Sequence, residues 1–278
     1  MLKLKLLSLY YALKIATCSC QGEESRGFQN IKSDSDIQSI ALIDTTVNES
    51  SGLIKAREGG YWTNNDSGGK PEIYRISEKG ELLETRKITG TSNIDWEELA
   101  SDKEGNIYIG DFGNNRMNRK DLKVYKIGRD KTEIINFRYA DQAEFPSSDK
   151  NFDCEAFFWF QGNLHLFTKS WSKDNLITKH YILSDQAGTY VIKPLEKLEV
   201  KETVTAADVS PDGNTFALLT YGKILIFKIN NESISLQEPL ACIKTRRKQT
   251  EAIVFKSENE LLFSNEQGSL YSIDFHLP

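Results

Sequence analysis

Ser51, Glu98, Glu155, Asp208 and Glu251 each stand at the start of a short apolar run, and four of the five are carboxylates. Each run is followed by a turn and a second run that ends in polar groups: Asn64-Asn65-Asp66, Gly110-Asp111, Thr168-Lys169, Thr220-Tyr221 and Ser264-Asn265-Glu266. Asp95 and Asp153 lie just upstream of two of the first runs and add further acid. If the fold brings these positions together, the carboxylates repel one another strongly in any narrow, partly dry space. A hard cation, an internal counter-charge or raised carboxylate pKa values would relieve that repulsion. The oxygens on offer suit Ca²⁺, which takes roughly six to eight oxygen ligands from carboxylates, amides, carbonyls and water. With only 3 His in the chain, a zinc centre is not expected. Lys169 is the best-placed internal counter-charge. The acids could instead serve only to accept hydrogen bonds from backbone amides of neighbouring strands.

Something must carry these residues to one place, and an internal repeat supplies it. Three signals recur five times in the same order. The polar residue opening an apolar run comes first. A turn and a short strand follow, as in Gly105-Asn-Ile-Tyr-Ile and Gly162-Asn-Leu-His-Leu. An aromatic residue flanked by aliphatics closes the series, at Tyr74, Tyr125, Tyr181, Phe227 and Tyr271. These aromatics are spaced roughly 44 to 56 residues apart, the size of a four-stranded propeller blade. Period-2 alternation favours strands throughout. A more polar fourth strand is expected over 82–88, 134–139, 190–195 and 233–243. The last unit ends without one, and an orphan strand over 37–46 is free to complete it. The reading is therefore all-β: a single β-propeller of five four-stranded blades closed by an N-terminal strand, over 37–278. A six-bladed ring is the alternative, if a long unit hides an extra hairpin.

Residues 1–20 read as a signal or lipoprotein segment. Lys3 and Lys5 precede an apolar run, and Ile15-Ala16-Thr17-Cys18 approximates a lipobox, with Cys20 a second candidate for lipidation. An ordinary secretory signal is the alternative. Residues 21–36 are polar and read as a flexible tether. Cys154 and Cys242 lie in the repeat region, and two buried thiols are favoured over a disulfide between them. The chain has 278 residues, 39% hydrophobic and 27% charged, with a net charge of -5. That balance argues against nucleic acid as a partner. The Thr245–Gln249 stretch, which holds Arg246, Arg247 and Lys248, reads as a solvated connector.

The segments Asn64 to Gly68, Asp95 to Leu99, Gly110 to Asn115 and Thr205 to Gly213 together resemble a family of exported bacterial β-propeller proteins and lipoproteins. More distantly, the axial acids are similar to those of calcium-dependent propeller hydrolases: calcium-activated nucleotidases, esterase-like phytases and gluconolactonases. The resemblance implies an axial Ca²⁺ held by Glu98, Glu155, Asp208 and Glu251, with Ser51 a fifth ligand, beside the substrate. Two functions compete. One is a cell-envelope-anchored binding or scaffolding module for a small-molecule, protein or glycan partner. The other is a Ca²⁺-dependent hydrolase of phosphate esters, nucleotides or lactones. In the second, Asp111 is a candidate base and Lys169 an anion anchor. Asn65, Asp66, Asn114, Arg116 and Asn265 are candidate ligand-binding residues on the same face. The expected protein is an exported monomer that meets the membrane only through its lipid anchor, with a periplasmic or secreted location as the alternative.

Overall fold

The computed structural model describes residues 19–31, 37–172, 176–245 and 249–277. Among them are twenty-two strands and a single helical turn. The strands form five sheets around a common axis. Blade I is β3 (Ser50–Lys55), β4 (Tyr61–Asn65), β5 (Glu72–Ile76) and β6 (Leu82–Lys87). Blade II is β7 (Trp96–Ser101), β8 (Ile107–Asp111), β9 (Lys123–Ile127) and β10 (Thr132–Tyr139). Blade III is β11 (Asp153–Phe160), β12 (Asn163–Lys169), β13 (Ile177–Ser184) and β15 (Pro194–Glu199). Blade IV is β16 (Val204–Val209), β17 (Thr215–Thr220), β18 (Lys223–Lys228) and β19 (Pro239–Lys244). Blade V is β20 (Thr250–Ser257), β21 (Glu260–Asn265) and β22 (Ser269–Asp274), completed by β2 (Ile37–Leu42). β2 pairs antiparallel with β22, so the orphan strand closes the ring as expected. Closure removes the sheet edge that an open ring would expose.

The sequence makes strands for local reasons. Gly105 and Gly162 sit at φ of +87° and +78° in tight inter-strand turns, a region where a Cβ is costly. Inner strands are buried on both faces and read as near-continuous apolar runs, such as Ala156-Phe-Phe in β11. Aromatic rings then fill the wedges between blades. Phe112 meets Phe157 edge-on at 5.2 Å between blades II and III, and Phe158 meets Phe216 at 5.7 Å between blades III and IV. The five inner strands touch one another in the closed order β3, β7, β11, β16, β20.

Two outer strands differ from the expected pattern. The stretch read as one strand over 190–195 is two. β14 (Gly188–Ile192) adds in parallel to β10 of blade II, and β15 then forms the outer edge of blade III. The expected strand over 233–243 shortens to β19, because residues 230–233 form a tight turn closed by an Asn230–Ser233 bridge.

The N-terminal segment is the larger correction. Cys20 is disulfide-bonded to Cys242, so its sulfur is not open to lipid and Cys242 is not a free thiol. Among the described residues Cys154 is the free cysteine, and it is buried, as read. Residues 21–31 are not a free tether. They form the helical turn α1 (Gln21–Glu24) and β1 (Gln29–Ile31), which pairs in parallel with β19. Glu23 is buried against Lys223 at 2.7 Å, and Lys223 also meets Glu202 at 2.6 Å. Phe28 packs edge-on against Phe227 at 5.2 Å. The first lipidation candidate, Cys18, lies outside the described residues, as do 32–36 and Arg246, Arg247 and Lys248.

Candidate functional site: a carboxylate cluster at one mouth of the channel

Each inner strand begins with a β-bulge, visible as a break in its register with the second strand. A bulge re-aims a side chain that regular pleating would bury in the sheet. Registering the blades on their second strands places Ser51, Glu97, Glu155, Thr205 and Glu251 at these bulges. Glu155, Glu251 and Ser51 match the expected set. Glu98 and Asp208 do not; the equivalent residues are Glu97 and Thr205.

Glu98 has another duty. Its Oε1 accepts the backbone N–H of Leu53 at 3.2 Å and of Leu99 at 3.0 Å. Inner strands have no further strand to pair with, so their amides need acceptors, and a carboxylate near the axis provides one. The equivalent positions in the other blades are Gly52, Ala156, Ala206 and Ala252. Small residues there leave the space that Glu98 occupies. A Cβ on Gly52 would lie 2.9 Å from Glu98 Oε1 and 2.5 Å from the Leu99 nitrogen. Burial pushes the Glu98 carboxyl well above the usual range, against the amide bonds that lower it. Asp208 lies near the other end of its strand. Its Oδ2 accepts the Phe255 amide at 2.8 Å. Glu98 and Asp208 therefore take the backbone-bonding role that was the alternative to metal binding.

The mouth beside the bulges gathers a different group. Asp66, Asp95 and Glu97 bring carboxylate oxygens within 4.8 Å of one another, as do Glu97, Asp153 and Glu155. Glu97 belongs to both sets, is only 3% exposed and has no donor to its carboxylate among the described residues. Gly113 lies so close that a Cβ there would be 2.5 Å from Asp95 Oδ2 and would overlap Glu97 Oε1. Asp153 is held in place by the Asn114 amide at 2.5 Å and by Trp171 Nε1 at 2.5 Å. Glu155 meets Lys169 Nζ at 3.0 Å. The Lys169 ammonium also lies 5.1 Å from the Trp171 ring and 5.8 Å from that of Tyr221. Tyr221 donates to Glu251 at 2.6 Å.

The electrostatics follow from that crowding. Burial, then Glu155, Asp66, Asp153 and Asp95, hold the Glu97 carboxyl well above its ordinary value. Burial also raises Glu155 well above its ordinary value, with Lys169 opposing. Burial raises Glu251 to about 7, against Lys169 and the Tyr221 hydroxyl. Asp95 rises to about 6, through burial and then Asp66 and Asp153. For Lys169, burial alone would favour the neutral amine, but Glu155, Glu251 and Asp153 hold it protonated and raise it. One ammonium thus faces more carboxylates than it can neutralise. An all-oxygen set with an unpartnered buried carboxylate at its centre fits a hard divalent cation, and the lack of His and Cys in it disfavours zinc.

The remaining expected residues are placed as follows. Ser51 lies at its bulge, but its hydroxyl donates to the Glu97 carbonyl, outside the carboxylate cluster. Asp111 accepts Arg119 at 2.9 Å and the Asp95 amide at 3.2 Å, which makes it a loop anchor instead of a free base. Asn114 is fully occupied, accepting the amides of Asn118 and Arg119 at 2.9 Å each. Arg116 is exposed, and Arg119 is the arginine that turns toward the acids. Asn65 donates to the Thr46 carbonyl in the segment before β3, and Asn265 accepts the Ser269 amide of its own turn. Asp66 alone of the candidate ligand-binding residues joins the cluster. Asp95 and Asp153, noted only as extra acid, are central to it, and Glu97 was not singled out.

No family model matches the chain, and no curated protein matches it. Solved structures do. A protein described as a gluconolactonase superposes with a TM-score of 0.50 at 11% identity, covering 89% of this chain and 94% of that one. A gluconolactonase from Xanthomonas campestris has a TM-score of 0.50 at 12% identity, covering 82% and 72%. The PQQ-bound aldose sugar dehydrogenase of Streptomyces coelicolor has a TM-score of 0.50 at 8% identity, covering 87% and 98%. At such identities the likeness establishes the propeller architecture and nothing finer.

Proposed function

We propose that the chain is an exported, divalent-cation-dependent hydrolase of small oxygen esters, lactones or phosphate esters, working at the carboxylate mouth. The observation that carries this reading is Glu97: a buried carboxylate with no donor, surrounded by the oxygens of Asp66, Asp95, Asp153 and Glu155. Glu97, Asp153 and Glu155 would hold the cation, and Ca²⁺ fits their oxygens best. Such a cation supplies Lewis acidity toward a carbonyl or phosphoryl oxygen and lowers the pKa of water.

The chain's own residues supply the rest. Lys169, held by Glu155 between two aromatic rings, presents a fixed positive charge to an anionic group or a developing oxyanion. Glu251, raised to about 7, can take a proton from water and return it near neutral pH. Its hydrogen bond from Tyr221 fixes its orientation. Trp171 is 42% exposed beside Lys169 and forms an apolar wall for the substrate. The gluconolactonase-like neighbours share the architecture and make lactones the first substrates to try. Export is supported by the Cys20–Cys242 disulfide, a bond that persists in oxidising compartments. Cys18 then remains the lipid acceptor of choice.

The test is hydrolysis of δ-gluconolactone and p-nitrophenyl phosphate by the full chain, first in EDTA and then in CaCl₂. Ca²⁺-dependent turnover that Glu97→Gln abolishes supports the reading. Turnover unaffected by EDTA, or intact in Glu97→Gln, overturns it. So does the absence of turnover on esters of either kind in the Ca²⁺-loaded protein.

A further inference from the structure

The carboxylate mouth is larger than a single cation needs. Asp66, Asp95 and Glu97 form one triad of facing oxygens, and Glu97, Asp153 and Glu155 form another. The two share Glu97 and no other member. A calcium ion keeps its ligand oxygens within about 5 Å of one another, twice its bond length. The triads are therefore two coordination shells that meet at one carboxylate. A cation on Glu97, Asp153 and Glu155 leaves Asp66 and Asp95 outside its shell.

The outer triad is a built site. Asn93 ties its two halves together: its Nδ2 donates to the Asp66 carbonyl at 2.9 Å, and its Oδ1 accepts the Trp96 amide at 3.1 Å. The Asp95 amide donates to Asp111 at 3.2 Å, and the Asp95 carbonyl accepts the Gly113 amide at 3.2 Å. The Asp95 main chain is thus fixed, while its carboxylate takes no donor among the described residues. Asp66 accepts the Ser67 amide on Oδ1 only, which leaves Oδ2 open. Arg119 is engaged by Asp111 at 2.9 Å and by Asp121 at 3.2 Å. Glu97, 3% exposed and without a donor, aims its carboxylate into the triad.

Gly113 is a second, independent sign. It is not among the glycines at positive φ, so its backbone does not call for glycine. Space does: a Cβ there would overlap Glu97 Oε1 and lie 2.5 Å from Asp95 Oδ2. Charge points the same way. Lys169 and one divalent ion bring three positive charges to five carboxylates, and a second divalent ion balances them.

We infer that the mouth holds a second divalent cation on Asp66, Asp95 and Glu97, with the Glu97 carboxylate bridging the two ions. The second ion presupposes the first, the proposed cation on Glu97, Asp153 and Glu155. Such a pair supplies two Lewis-acid positions where one ion supplies a single one.

The experiment is equilibrium dialysis of the metal-stripped full chain against CaCl₂ at pH 8, with bound calcium counted per chain. The wild type should hold two. Asp95→Ala should hold one, as should Asp66→Ala, and Glu97→Gln should hold none. Asp66 and Asp95 are only half-buried, so both substitutions should spare the fold. One calcium per chain in the wild type overturns the second ion and leaves the first in place. No bound calcium removes the first ion too, and with it the proposed function. Two per chain retained in folded Asp95→Ala overturns the assignment to this triad. If Asp95→Ala does not fold, two per chain in Asp66→Ala overturns it.

Discussion

Replacing Glu97 by Gln keeps the shape of the side chain and removes the charge on which both carboxylate triads converge. Without cation the substitution should stabilise the fold, because it relieves repulsion among buried acids. With cation it should lose the gain that the wild type shows. Melting curves in EDTA and in CaCl₂ read both effects. Glu98→Ala should behave in the opposite way. It strips the amides of Leu53 and Leu99 of their acceptor and should cost about 1–3 kcal/mol in denaturant unfolding, with the cation response intact. These two neighbours show what sequence reading could and could not resolve. The presence of an acidic ring was legible, and Glu155 and Glu251 were identified from the repeat. Glu97 was missed for a definable reason. Spacing from the turn glycine points to Glu98, since Glu98–Gly105 matches Glu155–Gly162. The β7–β8 connection is longer than the β11–β12 turn, so that count slips by one. A one-residue slip exchanges the faces of a strand. Blade IV has a similarly longer turn, and its first acid, Asp208, stands three residues beyond the bulge at Thr205.

Elements were more legible than residues, because strand periodicity and turn glycines are local signals. Four inner–outer blade sequences and the closing strand β2 followed from them. What did not follow were partnerships across distance. β14 reads like any polar strand, yet it pairs with blade II while its continuation pairs with blade III. α1 and β1 are too short to show periodicity and are fixed by tertiary contacts, chiefly the disulfide and the buried Glu23–Lys223 pair. The disulfide joins residues 222 apart in sequence. In the loop-entropy model a loop of that size contributes about 5 kcal/mol. The Cys20→Ser, Cys242→Ser double variant should therefore unfold at clearly lower denaturant than the wild type. Equal midpoints would mean that β1 and the ion pairs hold the segment without it. Lys223→Met should also destabilise the protein, since it removes the buried cation that Glu23 and Glu202 share and leaves Glu23 only its pair with Arg26.

At the scale of the whole molecule, the raised carboxylates make stability depend on pH. Glu251 at about 7, with Glu97 and Glu155 well above their ordinary values, binds protons more readily in the folded than in the unfolded chain. Their contribution is complete below the unfolded carboxylate range and is lost as pH rises through the folded values. His165 and His180 act the other way, lowered by burial to about 4 and about 3. They cost stability as pH falls below the ordinary histidine value of about 6.5. Between pH 6.5 and 8.5 the carboxylates act alone, so the metal-free melting temperature should fall as pH rises, and a cation should oppose the fall. A flat profile across that window would contradict the shifted carboxyls. The measurement that bears most directly on the central claim is calorimetric titration of CaCl₂ into metal-stripped protein at pH 8, with MgCl₂ in parallel. The account predicts saturable binding that prefers Ca²⁺, lost in Glu97→Gln and retained in Glu98→Gln. A Ca²⁺ concentration about 100-fold above Kd should then stabilise the fold by about 2.7 kcal/mol. No binding, or equal binding in Glu97→Gln, would contradict the assignment of the carboxylate mouth as a cation site.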